Sequence, residues 1–335
     1  MTPEQLALRD AVRGLLGRHS DVRAVIETPD GYDKGLWARL CDMGVLPIPE
    51  QHGGSGAGLA ETLVALEELG RTLTPSPLLA STIAAHALLS FRDTGRLLRR
   101  IADGAVATLA WDCVEITSTE AFDHPEVNAA SDYLDGTARY VLDGDLAEIL
   151  LVSDGTWIYE VDLYGVTREH TPTMDQTRRL ATIHLTSTPA TRLGRWSPEI
   201  RDIALAALAA EQVGGAARAL EITVDHTRTR VQFGRPIGSF QALKHRMADL
   251  HVLVETARSA ASAATDEVSA AVAKVYCSEA FCKVAAEMIQ LHGGIAITWE
   301  HDAHLYFKRA YGSAQLFGSP QDHIDRLSRL AHRRP

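Results

Sequence analysis

The sequence predicts a mainly α-helical protein with a small β domain set between two helical regions. Three observations predict it. Residues 1–103 are rich in Ala and Leu at helical spacing. Residues 104–194 lose that spacing and show short apolar runs between turn dipeptides. Residues 195–335 return to long alanine-rich stretches. The expected organisation is an N-terminal helical domain (1–103), a middle β domain (104–194) and a C-terminal four-helix-bundle domain (195–335).

Each region has its own local signals. In the first, Leu59, Leu63, Leu66 and Leu69, with Val64 beside them, recur as one buried helix face requires. The preceding residues 47–56 (PIPEQHGGSG) carry prolines and clustered glycines and read as a loop. In the second, the runs at 149–152 and 156–159 are separated by turn signals at Asp135-Gly136, Asp143-Gly144 and Asp154-Gly155, which predicts small antiparallel strands. The third opens at Ser197-Pro198-Glu199, an N-cap hydroxyl followed by a first-turn proline and an acid at the positive helix end. That helix is expected to run to about Arg230. A second should begin near Ser239, with Phe240, Leu243, Met247, Leu250, Val254 and Ala257 on its apolar face. A third should cover 266–291 and stop at Gly293-Gly294. A shorter one should start at Thr298, with Glu300 and Asp302 in its first turn.

Composition narrows the function. A chain of 335 residues, 46% hydrophobic, can bury more than one core. A formal charge of -10 with no long basic run argues against non-specific nucleic-acid binding. Cys41, Cys113, Cys277 and Cys282 form no CxxC pair, which argues against zinc and fits a reduced, cytoplasmic protein. The first residues, MTPEQLALRDAVRGLL, read as an amphipathic helix rather than a signal peptide, and no membrane span is expected. His301, Asp302 and His304 do not share one helix face, so no metal site is expected there. His245 and His292 read as structural. Residues 175–179 (DQTRR) read as a solvated charge cluster, with substrate contact as the alternative.

Two motifs carry chemistry. Residues 230–241 (RVQFGRPIGSFQ) form a glycine-broken turn between two long helices. Arginine donors beside a helix N-terminus suit a diphosphate, although an ordinary turn with surface arginines has the same composition. Residues 290–300 (QLHGGIAITWE) put paired glycines after a long helix, where a ligand can approach the backbone or the helix simply ends. In this order, about sixty residues apart, they resemble the C-terminal signature of the acyl-CoA dehydrogenase family. Residues 48–54 (IPEQHGG) and 67–71 (EELGR) extend the resemblance over most of the chain, in the style of short actinobacterial members.

The resemblance implies FAD at a subunit interface and α,β-desaturation of an acyl-CoA thioester, bulky or steroid-derived in this style of member. Arg230, Phe233, Gln290, Gly293 and Gly294 match residues that reach a flavin held mainly by the neighbouring subunit. Ser319 and Gln321 fall where the family often has flavin-touching Thr and Gln. Two departures matter. The catalytic Glu-Gly-Thr element aligns with Phe317-Gly318-Ser319, and phenylalanine cannot take a proton. The alternative base position, on the helix before the RxxFG turn, aligns with Ala204, with Asp202 and Glu211 nearby. Glu211 is the one weak candidate base, against a structural role for the same acid. The β domain also lacks the strands that hold a subunit's own flavin: residues 107–115 lack the first, and Trp157-Ile158-Tyr159 lies late for the second.

Three readings follow. The chain is a subunit of an α2β2 enzyme whose homologous, full-length partner supplies the base. Alternatively, it is a self-sufficient homo-oligomer with a relocated base, or a flavin-free scaffold. Acyl-CoA is the expected substrate and an electron-transfer flavoprotein the expected electron acceptor.

Overall fold

The computed structural model describes residues 1–119 and 131–332; residues 120–130 of the expected β domain, and the last three of the chain, lie outside that description. Six helices come first: α1 (Pro3–His19), α2 (Val22–Ile26), α3 (Lys34–Asp42), α4 (Leu59–Thr72), α5 (Leu78–Leu89) and α6 (Gly95–Ala102). Thr2 starts α1 with a capping box, its hydroxyl accepting from the Gln5 amide while the Gln5 side chain accepts from the Thr2 amide. Leu66 and Leu69 of α4 are buried as the spacing requires, and α5 is buried nearly all round.

Seven strands follow: β1 (Ala107–Ala110), β2 (Val114–Thr119), β3 (Ser131–Leu142), β4 (Ile149–Ser153), β5 (Trp157–Val161), β6 (Thr167–His170) and β7 (Leu180–Arg195). They form one sheet in the order β1-β4-β5-β7-β3-β2, with β6 against β7. Two expectations need correction. The sheet is mixed, because β1 pairs with β4 in parallel. Asp135-Gly136 is not a turn between strands but lies inside β3, at a register shift where the ladder against β7 slips.

The chain then returns to helix: α7 (Pro198–Thr229), the two-residue strands β8 (Val231–Gln232) and β9 (Arg235–Pro236), α8 (Gln241–Ser262), α9 (Glu267–His292), α10 (Ala303–Gln315) and α11 (Pro320–His332). Ser197 caps α7 as expected, and the Asp266 carboxylate caps α9 by accepting from the Val268 and Ser269 amides. The last expected boundary was too early. The Thr298 hydroxyl donates to the Ile295 carbonyl and accepts from the Glu300 amide, closing a turn instead of capping a helix, so α10 starts five residues later at Ala303. By length and composition α7 could cross a membrane, but 89% of its apolar window is buried in the protein, as in a core helix.

α7 is the axis of the molecule. It packs against α4 on one side and α9 on the other. The α4 crossing is very close: a Cβ on Gly70 would lie 2.0 Å from the Glu211 carbonyl oxygen, and one on Gly214 would lie 1.8 Å from that of Glu67. Only glycine at both positions lets the two backbones touch.

Candidate functional site

The candidate residues separate into two groups at opposite ends of α7 and α9. At the C-terminal ends, the imidazole of His226, in the last turn of α7, stacks on that of His292 at the end of α9, with ring centroids 4.1 Å apart. The His301 ring also packs on His292, tilted by 49° with centroids 4.4 Å apart. This column joins the loop of Arg230 and Phe233 to the stretch of Gln290, Gly293 and Gly294. Burial pushes His292 down to about 4, and His226 and His301 below their ordinary range, so the rings are neutral near pH 7. Positive charge at this end therefore comes from arginine.

The RxxFG turn is a hairpin between β8 and β9. Its two loop residues, Phe233 and Gly234, have φ of 54° and 75°, as the type I′ turn of a two-residue hairpin requires. For a phenylalanine that conformation costs on the order of 1–2 kcal/mol. Phe233 is nevertheless 91% exposed, with one edge contact to Phe240. Among the described residues the Arg230 guanidinium has no hydrogen-bond or ion-pair partner, while Arg235 stacks on the Phe240 ring. Gly293 sits at φ 67° and ψ -146°, a region open essentially to glycine alone, and Gln290 and Gly294 are exposed beside it. A strained, solvent-facing aromatic, a free arginine and a bare glycine backbone together make a surface shaped for something outside this chain.

At the other end of the bundle, between α5, the sheet and the end of α10, lies a cavity of about 570 Å³. Phe317 lines it, 9% exposed, just past the end of α10. Its ring stacks on Trp111 at 5.2 Å, and Trp111 stacks on Trp196 at 5.3 Å. Asp112 also lines the cavity, and burial raises its pKa, partly opposed by the nearby backbone of Cys113 and Phe317. Ser319 and Gln321 follow closely. Ser319 is the N-cap of α11, bonded through its hydroxyl and amide to Asp322, and Gln321 donates to Asp325 one turn on. About 23 residues of α9 separate Gln290 from Glu267, where α11 docks through Arg326, so the two groups lie roughly 35 Å apart.

Glu211 is buried in the middle of α7 and does not line the cavity. Its Oε1 accepts from Arg178 Nη2 at 2.7 Å and from Arg309 Nη1. Arg309 also pairs with Asp175 at 2.9 Å and donates to the Thr177 carbonyl at 2.7 Å. Burial alone would raise the Glu211 pKa; Arg178 and Arg309 outweigh it and hold the group below its ordinary value. A carboxylate locked in this way between two guanidiniums is a structural ion pair. The same network corrects the reading of residues 175–179, because Asp175, Thr177 and Arg178 are not solvated but buried.

Sequence reasoning missed two groups. Lys274 is fully buried in α9 and donates to the Ser313 and Ala314 carbonyls at 2.9 and 3.0 Å, bracing the end of α10 directly before Phe317; burial pulls it down to about 7. The signal was available, since Lys274 falls on the same helix face as Ala270, Cys277 and Ser278. Asp112 carried no such signal, because only the fold brings β1 to Phe317.

Helical domain, mixed sheet and helical bundle in this order define an acyl-CoA dehydrogenase fold. The family's N-terminal domain matches residues 2–104 and its C-terminal domain residues 204–330. The chain is 44% identical to acyl-CoA dehydrogenase IpdE2 of Mycolicibacterium smegmatis and 43% identical to IpdE2 of Mycobacterium tuberculosis, in each case over 98% of both chains. Among solved structures it superposes on a Tcur3481–Tcur3483 steroid ACAD variant with a TM-score of 0.88 and 30% identity, covering 98% of each chain. The ChsE4–ChsE5 complex from Mycobacterium tuberculosis gives a TM-score of 0.88 at 25% identity, covering 100% of this chain and 99% of that one. The chain belongs to the acyl-CoA dehydrogenase family, whose members act on the CH–CH bond of acyl-CoA thioesters.

Proposed function

We propose that this chain is one subunit of a heteromeric FAD-dependent acyl-CoA dehydrogenase that desaturates a bulky acyl-CoA, and that its homologous partner subunit supplies the catalytic base. The observation that carries the reading is the state of the cavity at Phe317. A base is required to remove the α-proton of the thioester, and a backbone amide at the base position would stabilise the developing enolate oxygen. Here the side chain is a phenyl ring stacked on Trp111. The position that matches the family's base therefore holds no carboxylate in this chain. Glu211 does not replace it, because its oxygen is committed to Arg178 and Arg309.

The opposite end of the bundle fits a contributed half of a flavin site. Arg230 offers an unpaired guanidinium to a diphosphate, Phe233 an apolar face, and Gln290 with the bare Gly293-Gly294 backbone a close polar approach. FAD, when bound, supplies the hydride acceptor. This chain's residues bind and orient it across the interface, while the His226–His292–His301 column holds the supporting helix ends in place. A steroid-derived acyl group and a heteromeric assembly accord with the Tcur3481–Tcur3483 steroid ACAD and the ChsE4–ChsE5 complex, and an α2β2 assembly with an electron-transfer flavoprotein as acceptor completes the proposal. The test is visible absorbance of the chain purified alone and after co-expression with its candidate partner. The expected result is flavin only in the complex. Stoichiometric flavin in the lone chain defeats the reading.

A further inference from the structure

The histidine column at the Arg230 end is bonded in a way that suits only uncharged rings. His292 Nδ1 donates to the Met288 carbonyl at 2.8 Å, so the lone pair lies on Nε2. That Nε2 is buried and has no hydrogen-bond partner among the described residues, so a proton placed there would meet no acceptor. His301 Nδ1 accepts at 3.0 Å from the amide of Ala303, the first residue of α10, and a proton on that nitrogen would break the bond. His226 is stacked on His292 at 4.1 Å, so charging both rings would set like charges face to face. The surroundings act in the same sense. Arg230 opposes a charge on His226. Asp302 favours one on His301, but it is paired with Arg23 at 2.7 Å, and Arg23 opposes it. His304 stands next on α10, where burial and Lys308 hold it below its ordinary range too. Among the described residues no carboxylate is hydrogen-bonded to any ring of the column.

We infer that the column is an acid-operated latch: while its rings are neutral it holds the Arg230–Phe233 turn against the Gln290–Gly294 stretch, and when they take up protons the two segments part. What this does to flavin rests on the shared-flavin reading: the lent surface comes apart, so acid releases the cofactor from the complex. In the parted state the rings bind protons at the ordinary 6.5, whereas in the closed state burial pulls His292 down to about 4. The parted state therefore binds more protons, and the closed state loses stability as pH falls from 6.5 towards 4. Between pH 7.5 and 5.0 His292 alone shifts the equilibrium towards opening by about 30-fold, and His226 and His301, also held below their ordinary range, shift it the same way.

The test is hydrogen exchange of the full chain, alone, at pH 7.5 and pH 5.0, with rates corrected for the intrinsic effect of pH. Residues 226–240 and 289–303 should lose protection by about 30-fold or more in acid, while the buried middle of α7 keeps it. His292→Phe leaves a flat ring in the stack that takes no proton, and should cut the loss at least tenfold. Unchanged protection in the wild type at pH 5.0 overturns the proposal, as does an equal loss in the variant. Should the variant not fold, an imidazole NMR titration of the wild type decides: a His292 ring titrating at the ordinary 6.5 overturns the latch, and one titrating well below it supports the latch. Neither measurement involves flavin or partner, so a co-expressed complex that binds no flavin at pH 7.5 defeats the shared-flavin reading alone. A complex that binds flavin at pH 7.5 and keeps it at pH 5.0 overturns the latch and leaves the shared site standing.

Discussion

Replacing Glu211 with glutamine distinguishes a structural carboxylate from a catalytic one. The buried network contains Arg178, Arg309, Glu211 and Asp175, whose formal charges sum to zero. Glu211→Gln keeps the shape but leaves one uncompensated positive charge beside a helix that the Gly70 and Gly214 contacts hold immobile. Breaking a buried pair from one side costs about 3–5 kcal/mol. At about 2.1 cal/mol/K per residue, 335 residues give an unfolding entropy near 0.7 kcal/mol/K, so Tm should fall by roughly 4–7 °C. The sign of the pH dependence follows from a folded pKa held below the ordinary 4.5. The stabilisation is fully present above the unfolded value and is lost as pH falls through the folded one. Thermal melts at pH 7.5 and at successively lower pH should therefore show the variant and wild type converging in acid. The complex with its partner should keep its turnover at temperatures where the variant is folded. A variant with wild-type Tm and no turnover would refute the structural assignment and return Glu211 to the role of base.

Other perturbations address the remaining groups. Arg230→Ala should leave the lone chain's Tm unchanged, because the Arg230 guanidinium has no partner among the described residues, yet weaken flavin retention in the complex by about 10- to 100-fold, read by absorbance after dialysis. Phe317→Glu should lower Tm, because it breaks the stack on Trp111 and adds a second carboxylate to the cavity that Asp112 lines, and should give the lone chain no dehydrogenase activity; activity in this single variant would show that one restored carboxylate suffices without a partner. Asp143 is buried and pushed from 3.8 up to about 7 by its burial, only partly countered by Arg178, so its ionisation opposes folding and stability drops as pH rises from about 4 to 7. Asp143→Asn should therefore raise Tm at pH 8 but not at pH 4, with about 4 kcal/mol as the upper limit at full shift. Equal gains at both pH values would show that charge is not the cause.

What was legible in the sequence depended on whether the cause was local. The caps at Ser197 and Asp266, the buried face of α4 and the long alanine-rich α7 are set by neighbours within a few residues, and they could be read directly. The parallel β1–β4 pair could not, because the register of strands separated by about forty residues is decided by packing on both faces. Asp135-Gly136 has turn chemistry, but a bulge inside a strand uses the same residues. The cluster at 175–179 looked solvated because its neutralising partners, Glu211 and Arg309, are far along the chain. For the site, the identity of Phe317 was visible as a missing base. Its stack on Trp111 was not, since no spacing predicts a contact across two domains.

The two ends of the bundle differ in what they leave unfinished. At the Arg230 end, cost is incurred with no return inside the chain: Phe233 takes a left-handed backbone and stays in water, and an arginine stays unpaired. Such features persist only where something outside compensates them. At the Phe317 end the opposite holds. The position where a base would stand is filled by an aromatic stack, and Lys274 and Ser319 tie off the adjoining helix ends. On the shared-flavin proposal, division of the enzyme into two unlike subunits accounts for this difference, because the subunit that lends its surface must keep the lending residues and is free to rebuild its own cavity.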